Sequence, residues 1–347
     1  MHITHALLRW YDQSRRSLAF RGTRDPYRVW LSEIMLQQTR AQTVEGYYTR
    51  FLAQFPDVFA LSRAQEQEVL KAWEGLGYYS RARNLHRAAR MVVDAFGGQF
   101  PNTAEALRQL PGVGPYTAAA VASIAFDEPV PAIDGNLIRV LSRLYLVEED
   151  VGIPSVKRHL YELGRALMPE PRAGDMNQAL MDLGATICLP GTPDCAACPL
   201  TPYCMAYQDG EPERLPILPR KKPPREVPVA VVLLRYGDRV FVTRRTQALL
   251  KGLYVFYLLE GEDEVGVRRH LAAHGVQVQS LAEIGQARHI FTHRVWHMRI
   301  YRCDVRTDAM PGDGLWVTRQ EMDALPFPTA MKAAKALAEN CLELKNA

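Results

Sequence analysis

A mainly α-helical region followed by an α+β domain is the architecture this sequence predicts, and three observations predict it. From residue 1 to about 205, apolar residues recur at three-and-four spacing, Gly and Pro punctuate the runs, and no alternating stretch interrupts them. Between Tyr207 and Pro228 lies YQDGEPERLPILPRKKPPREVP, rich in proline and charge, the composition of an extended linker. Beyond it, VPVAVVLLRYGDRVFVTRR and HIFTHRVWHMRIYRCDV are β-branched and aromatic, broken by turn signals such as Tyr236-Gly237-Asp238. Strands are therefore expected there, with helices near 264–274 and 329–342.

A chain of 347 residues with 48% hydrophobic and 23% charged residues is of globular composition, long enough for two or three domains. The first residues, MHITHALLRWYDQ, are too polar for a signal sequence, and no apolar run reaches the roughly 18 residues that span a bilayer. A cytoplasmic protein without a membrane partner is expected. The net charge of +4 is no argument for nucleic acid, because basic and acidic residues balance over residues 1–205. Locally, Arg83, Arg87 and Arg90 form one helical stripe opposite Leu85, Ala89, Val92 and Phe96. Such a stripe can follow a phosphate backbone or simply face solvent.

In the helical part, Leu110-Pro111-Gly112-Val113-Gly114 ends one helix and Pro115 starts the next from a first helical position. Gly112 and Gly114 can take positive φ and admit another backbone closely. Backbone N–H groups at the start of the following helix make a cradle for a phosphate oxygen, a contact blind to base sequence. An ordinary helix-to-helix turn has the same local signature, so the hairpin gains meaning from its neighbours.

Glu33 sits in the helical run VWLSEIMLQQTR with Val29, Trp30 and Leu36 at helix-neighbour spacing. An acid on an apolar face is desolvated, which raises its pKa and keeps a proton available for a leaving group. Asp134 precedes Gly135, Asn136 and the helical run LIRVLSRLYLV. It is expected to cap that helix and to stay ionised at the positive end of its dipole. One protonated carboxyl and one carboxylate are the parts that glycosidic cleavage through an oxocarbenium-like state requires.

Cys188, Cys195, Cys198 and Cys204 fall in CLPGTPDCAACPLTPYC with C-x6-C-x2-C-x5-C spacing. Four cysteines suit a 4Fe-4S cluster or a structural zinc; zinc ribbons offer two separate C-x2-C pairs, so the spacing favours iron–sulfur. His289, His293 and His297 recur every fourth residue, but on a strand each pair stands about 13 Å apart, too far to share an ion.

WLSEIMLQQTR, WEGLGYYSRARNLH, LPGVGPYTAAAV, the AIDGN element and the four-cysteine loop together resemble the adenine DNA glycosylases of the MutY type, within the endonuclease III helix-hairpin-helix superfamily. The resemblance covers residues 1–205 and weakens beyond. It implies a helix-hairpin-helix glycosylase fold of two helical domains. An iron–sulfur domain would comprise 1–23 and 136–206, and a six-helix domain 24–135. A linker over 207–227 and a Nudix-like α+β domain over 228–347 would follow. It further implies that Glu33 protonates a flipped adenine, that Asp134 faces the sugar cation, and that Tyr116 and Asn136 support them. Gln38 and Tyr78 would wedge into the base stack, with Thr39 and Leu76 near the opposing lesion. Gly112, Val113 and Gly114 would hold DNA, and Arg21 and Gln178 would line the adenine pocket.

Relatives that also cut the backbone carry a Schiff-base lysine where this chain has Tyr116, and the only lysines in residues 1–205 are Lys71 and Lys157. A monofunctional enzyme is expected. The C-terminal part resembles the Nudix-like domain that inspects 8-oxoguanine opposite the adenine, without a Nudix hydrolase box. The family's Phe-Ser-His reading turn stands here as Phe291-Thr292-His293, with a hydroxyl kept and a methyl added. Tyr254, Val255 and Tyr257 replace the usual Trp, Glu and Pro, and Phe20 replaces a Trp before Arg21. The function so implied is removal of adenine mispaired with 8-oxoguanine or guanine in duplex DNA by a monomer. An endonuclease III-like lyase on oxidised pyrimidines is the nearest alternative, and Tyr116 counts against it. A non-catalytic DNA-binding protein is the other, and Glu33 with Asp134 counts against that.

Overall fold

Helix starts in the first half are set by side chains that satisfy the free N–H groups of each first turn. Asp25, Asp57, Thr103 and Asp134 occupy N-cap positions and accept from the backbone of Arg28, Ala60, Ala106 and Leu137. Pro26, Pro115 and Pro154 open helices, where a missing N–H costs nothing. The computed structural model describes residues 2–219, 223–308 and 313–343, so positions 220–222 of the expected linker lie outside the described residues.

The chain folds as two compact units, one of Met1–Ala64 with Asn84–Lys221 and the other of Gln65–Arg83 with Lys222–Ala347. In the first unit the helix Pro115–Phe126 is apolar all round and lies at the centre, packed by Pro26–Leu36 and Ala173–Thr186. Gly174 lets the helix Ala173–Thr186 approach it closely, since a Cβ there would stand 2.6 Å from the Ser123 carbonyl oxygen. Among the described residues, the only extended pairing before Arg225 is an isolated bridge between Asp150 and Ile217.

Two expectations change here. The first half of the proline-rich stretch is no free spacer, because Leu215 is 1% exposed and its carbonyl accepts from Arg143 Nε at 3.0 Å. Pro212 and Leu215 find a buried berth that composition alone hides, while Ile217 and Leu218 stay exposed. The segment Gln65–Arg83, helical in pattern and assigned by resemblance to the six-helix domain, packs with the C-terminal unit.

In that second unit, seven strands among the described residues form one mixed sheet: β1 (Arg225–Tyr236), β2 (Arg239–Arg244), β3 (Tyr254–Val255), β4 (Tyr257–Glu260), β5 (Val278–Ile290), β6 (Arg294–Val305) and β7 (Leu315–Val317). β1 is central, parallel to β6 and antiparallel to β2 and β4, and β5 pairs antiparallel with β6 at the sheet edge. Successive β1 side chains point to opposite faces. Val227, Val229, Val231 and Leu233 pack with Ala334 and Ala338 of the helix Lys332–Glu343. Ala230, Val232 and Leu234 pack with Val267 and Leu271 of the helix Glu264–Ala273. Both faces are covered, which is why β1 reads as a continuous apolar run. β5, by contrast, is largely exposed and carries register shifts near Ser280 and Gly285. Tyr254, Val255 and Tyr257 sit in β3 and β4, and Phe20 packs edge-on against Tyr48 at 5.9 Å.

Candidate active site

Glu33 lies on the helix Pro26–Leu36 at 6% exposure, among the apolar residues its spacing predicts. Burial pushes its carboxyl above the usual carboxylate range, and a hydrogen bond from Tyr116 and the nearby Arg21 charge only partly oppose this. The Tyr116 hydroxyl donates to Glu33 Oε2 at 2.7 Å and also rests 3.9 Å from Met181 Sδ. Asp134 adds a further upward push on Glu33, so the two carboxyls share one electrostatic environment.

Asp134 caps the helix Gly135–Leu144, accepting from Leu137 N at 2.7 Å and from Asn136 Nδ2 at 2.8 Å. These bonds and the Arg139 charge favour its anion, yet burial outweighs them and moves its pKa up rather than down. The expectation from the helix dipole alone is thus corrected in direction: the cap is present, but it is half-buried, and desolvation is the larger effect.

Arg139, which the sequence reading passes over, ties this site to its surroundings. It donates to Asn136 Oδ1 at 2.9 Å, to the Gly184 carbonyl at 2.6 Å and to the Cys188 carbonyl at 2.7 Å. Gly184 makes room for this junction, since a Cβ there would meet Asn136 Cβ at 2.6 Å. Arg21 and Gln178 both line a cavity of about 400 Å³ together with Tyr11, Arg16 and Thr23. Buried Asp182 holds Arg16 at 2.6 Å and Arg21 at 3.2 Å, and Tyr11 donates to Gln178 at 2.9 Å. Tyr11 and Asp182 are also absent from the sequence-based candidates, because each acts through a partner more than 150 residues away in the chain.

At the hairpin, Gly112 has φ +78° and a Cβ there would stand 2.6 Å from Asn84 Cβ, so glycine is required twice over. Gly114 instead has φ −86° and ψ 178°, an extended N-cap of the helix Pro115–Phe126, so only one of the two glycines uses positive φ. Val113 is buried between them. The arginine stripe is partly committed within the protein: Arg83 donates to the Lys251 carbonyl, Arg87 to Asn84 at 2.6 Å and Arg90 to the Ser62 carbonyl at 3.3 Å.

All four loop cysteines are free thiols of intermediate burial. Burial and the neighbouring Cys188 and Cys204 sulfurs raise the Cys195 thiol, so the sulfurs lie within electrostatic reach of one another. Arg143 Nη1 stands 3.3 Å from Cys188 Sγ and donates to the Leu189 carbonyl, while Nη2 donates to the Gly191 carbonyl. Among the described residues, no group of three or more His, Cys, Asp or Glu is arranged to hold a single metal ion. Zinc would need four sulfurs drawn in at about 2.3 Å. The donor chemistry, four clustered thiols backed by a cation, fits an iron–sulfur cluster.

Gln38 and Thr39 lie in the turn after the Glu33 helix, with Gln38 exposed at φ +56°. Leu76, Tyr78, Phe291, Thr292 and His293 all belong to the second unit. Tyr78 is 46% exposed at φ +48°, and its hydroxyl stands 3.2 Å from Thr292 Oγ1. Leu76 is buried. Tyr78, Thr292 and His293 line a mostly apolar cavity of about 620 Å³ with His289, Leu249 and Leu250. His289, His293 and His297 form no metal site among the described residues.

Residues 31–166 match the HhH-GPD superfamily of base excision DNA repair proteins, and residues 229–337 match the NUDIX domain. The adenine DNA glycosylase of Mus musculus is 34% identical over 94% of this chain and 76% of its own length. That of Homo sapiens is 34% identical over 94% of this chain and 72% of its own length. Among solved structures, a thermostable thymine-DNA glycosylase superposes with a TM-score of 0.53 at 32% identity, covering 60% of this chain and 95% of the other. With Glu33 buried against Tyr116, Asp134 half-buried at a helix cap and relatives matched across nearly its whole length, the chain belongs to the adenine DNA glycosylase family.

Proposed function

We propose that this protein hydrolyses the N-glycosidic bond of adenine paired with 8-oxoguanine, or with guanine, in duplex DNA and leaves the abasic strand uncut. The observation that carries the reading is the buried Glu33, its carboxyl held by Tyr116 at 2.7 Å and under the influence of Asp134. The names of the mouse and human relatives support the base.

The target base must leave the stack, because its glycosidic bond is out of reach inside a duplex. Arg21, whose charge acts on Glu33, and Gln178 take the flipped adenine. Glu33, whose buried carboxyl holds its proton more tightly than an ordinary carboxylic acid, donates it to adenine N7, so the C1′–N9 electron pair leaves with a neutral base. The sugar is left as an oxocarbenium cation, which Asp134 faces as a carboxylate braced by Leu137 N–H and Asn136. Water then adds at C1′ and gives up a proton to the Glu33 carboxylate left by the first step. Tyr116 has no amine, so no Schiff base forms and the backbone stays intact.

Gly112, Val113 and Gly114 hold a phosphate, Gln38 and Tyr78 open the stack, Thr39 and Leu76 lie by the opposing lesion, and Phe291, Thr292 and His293 read 8-oxoguanine. Cys188, Cys195, Cys198 and Cys204 would bind a 4Fe-4S cluster, which when bound would fix the loop between Cys188 and Cys204 in one shape. Apart from Gln65–Arg83, which packs with the C-terminal unit, the division into 1–23 with 136–206, 24–135, 207–227 and 228–347 belongs to the same proposal, as do the action as a monomer and a cytoplasmic, DNA-associated location. Among the described residues, no helix is long and apolar enough to cross a membrane.

Single-turnover assays on duplexes bearing A:8-oxoguanine, A:G and an oxidised pyrimidine, with and without alkali, test this reading. Adenine release with strand breaks only after alkali is expected. Strand cleavage without alkali, or a borohydride-trapped covalent complex, would overturn it.

A further inference from the structure

In the second unit, the turn that carries Tyr78 is fastened to one strap of the C-terminal domain, Leu325-Pro326-Phe327-Pro328. Two prolines leave this strap a single N–H, that of Phe327, across residues 326–328. Glu74 Oε1 accepts that N–H at 3.0 Å. The other Glu74 oxygen accepts from Lys71 Nζ at 2.6 Å, and Lys71 donates in turn to the Leu325 carbonyl at 3.1 Å. Tyr79, 5% exposed, donates its hydroxyl proton to the Phe327 carbonyl at 3.2 Å and accepts from Gly75 N at 3.2 Å.

The strap is itself fixed in the domain core: Phe327 is buried against Phe256 at 5.3 Å, and the Pro326 carbonyl accepts from Tyr254 N. At the other end, the turn has little freedom, since Gly75, Gly77 and Tyr78 all adopt positive φ. Trp73 Nε1 and Arg81 donate to the Gly77 carbonyl from beneath, each at 3.2 Å. A rigid turn bonded to a rigid strap moves with it. The same turn meets the reading loop directly, through Tyr78 and Thr292 at 3.2 Å.

We propose that Tyr79 and Glu74 are positioning residues that lock the Tyr78 turn to the Leu325–Pro328 strap, so that the stack-opening tyrosine is placed by the domain that reads the opposing base. This inference rests on the reading given under Proposed function, and it makes adenine excision conditional on the partner base without either residue touching DNA.

The test uses the full-length protein, with Tyr79→Phe removing one hydroxyl and Glu74→Gln one charge. Single-turnover adenine release is measured opposite 8-oxoguanine and opposite guanine, and 2-aminopurine beside the 8-oxoguanine reports unstacking. Each variant is expected to lower the ratio of the two rates about five- to tenfold and to diminish the 2-aminopurine signal. The thermal midpoint should stay within about 4 °C of the parent. Equal slowing on both pairs, or an unchanged ratio with unchanged fluorescence, would overturn the positioning. Should Tyr79→Phe fail to fold, Glu74→Gln and Lys71→Met carry the same readouts. A parent that shows no preference for 8-oxoguanine would fail the proposed function instead, and the fluorescence comparison would still decide the positioning.

Discussion

The carboxyl site of the helical unit and the reading turn of the C-terminal unit solve opposite problems. Glu33 and Asp134 are enclosed, and burial is the first cause of both raised pKa values. Tyr78, Thr292 and His293 are exposed, at the tip of a β5–β6 hairpin and on a turn of positive φ. Proton donation to a leaving group gains from a low dielectric, whereas inspection of a base needs side chains that a duplex can reach. The difference teaches that changes in the first region should scale every substrate alike, and changes in the second should alter only the ratio between substrates.

The largest effect is expected from Glu33→Gln, which should slow adenine release about a thousandfold on both A:8-oxoguanine and A:G while DNA binding persists. Unequal losses on the two pairs would break the contrast. The parent rate should fall as pH rises through the raised Glu33 pKa, and that limb should vanish in the variant. Stability follows the same sign: a carboxyl that binds its proton more tightly when folded contributes fully below the usual value of 4.5 and loses that contribution as pH climbs through the folded value. Denaturant titrations from pH 4 to pH 9 should therefore show a shallower decline for Glu33→Gln.

Asp134→Asn keeps the helix cap but removes the charge, and about a hundredfold loss of single-turnover rate is expected, again equal on both pairs. Gly112→Ala meets both a positive φ and the Asn84 side chain, so a stability loss of about 2 kcal/mol is expected in urea unfolding. Weaker binding of undamaged duplex should accompany it. The smallest change is Thr292→Ser, which removes one methyl beside the Tyr78 hydroxyl. It should raise the preference for 8-oxoguanine over guanine about twofold, with the A:G rate unmoved.

What could be read in the sequence was local. Val29, Trp30 and Leu36 around Glu33 announced its burial, Asp134 announced its helix cap, and the alternation hidden in VPVAVVLL became the two faces of β1. What could not be read was set by groups distant in the chain. Tyr116 reaches Glu33 across 83 positions, and Arg139 acts through carbonyls that have no sequence signature. Gln65–Arg83 is helical in pattern like its neighbours, yet its allegiance is decided by Glu74, Lys71 and Tyr79 meeting a strap some 250 residues further on. The dipole argument for Asp134 was right about geometry and wrong about direction, because burial is a tertiary quantity.

The edge position of β5 gives the C-terminal unit a modular character. β1 can absorb almost no polar substitution, since both of its faces are occupied. β5 presents most of its length to solvent and is offset by two irregularities that discourage pairing with another chain's edge. A designer wishing to retarget the protein to another damaged base could therefore exchange the hairpin tip and vary the exposed positions of β5, keeping Val278, Leu281, Ile284 and Ala287, which pack against the two cores. β6 would stay as the anchor.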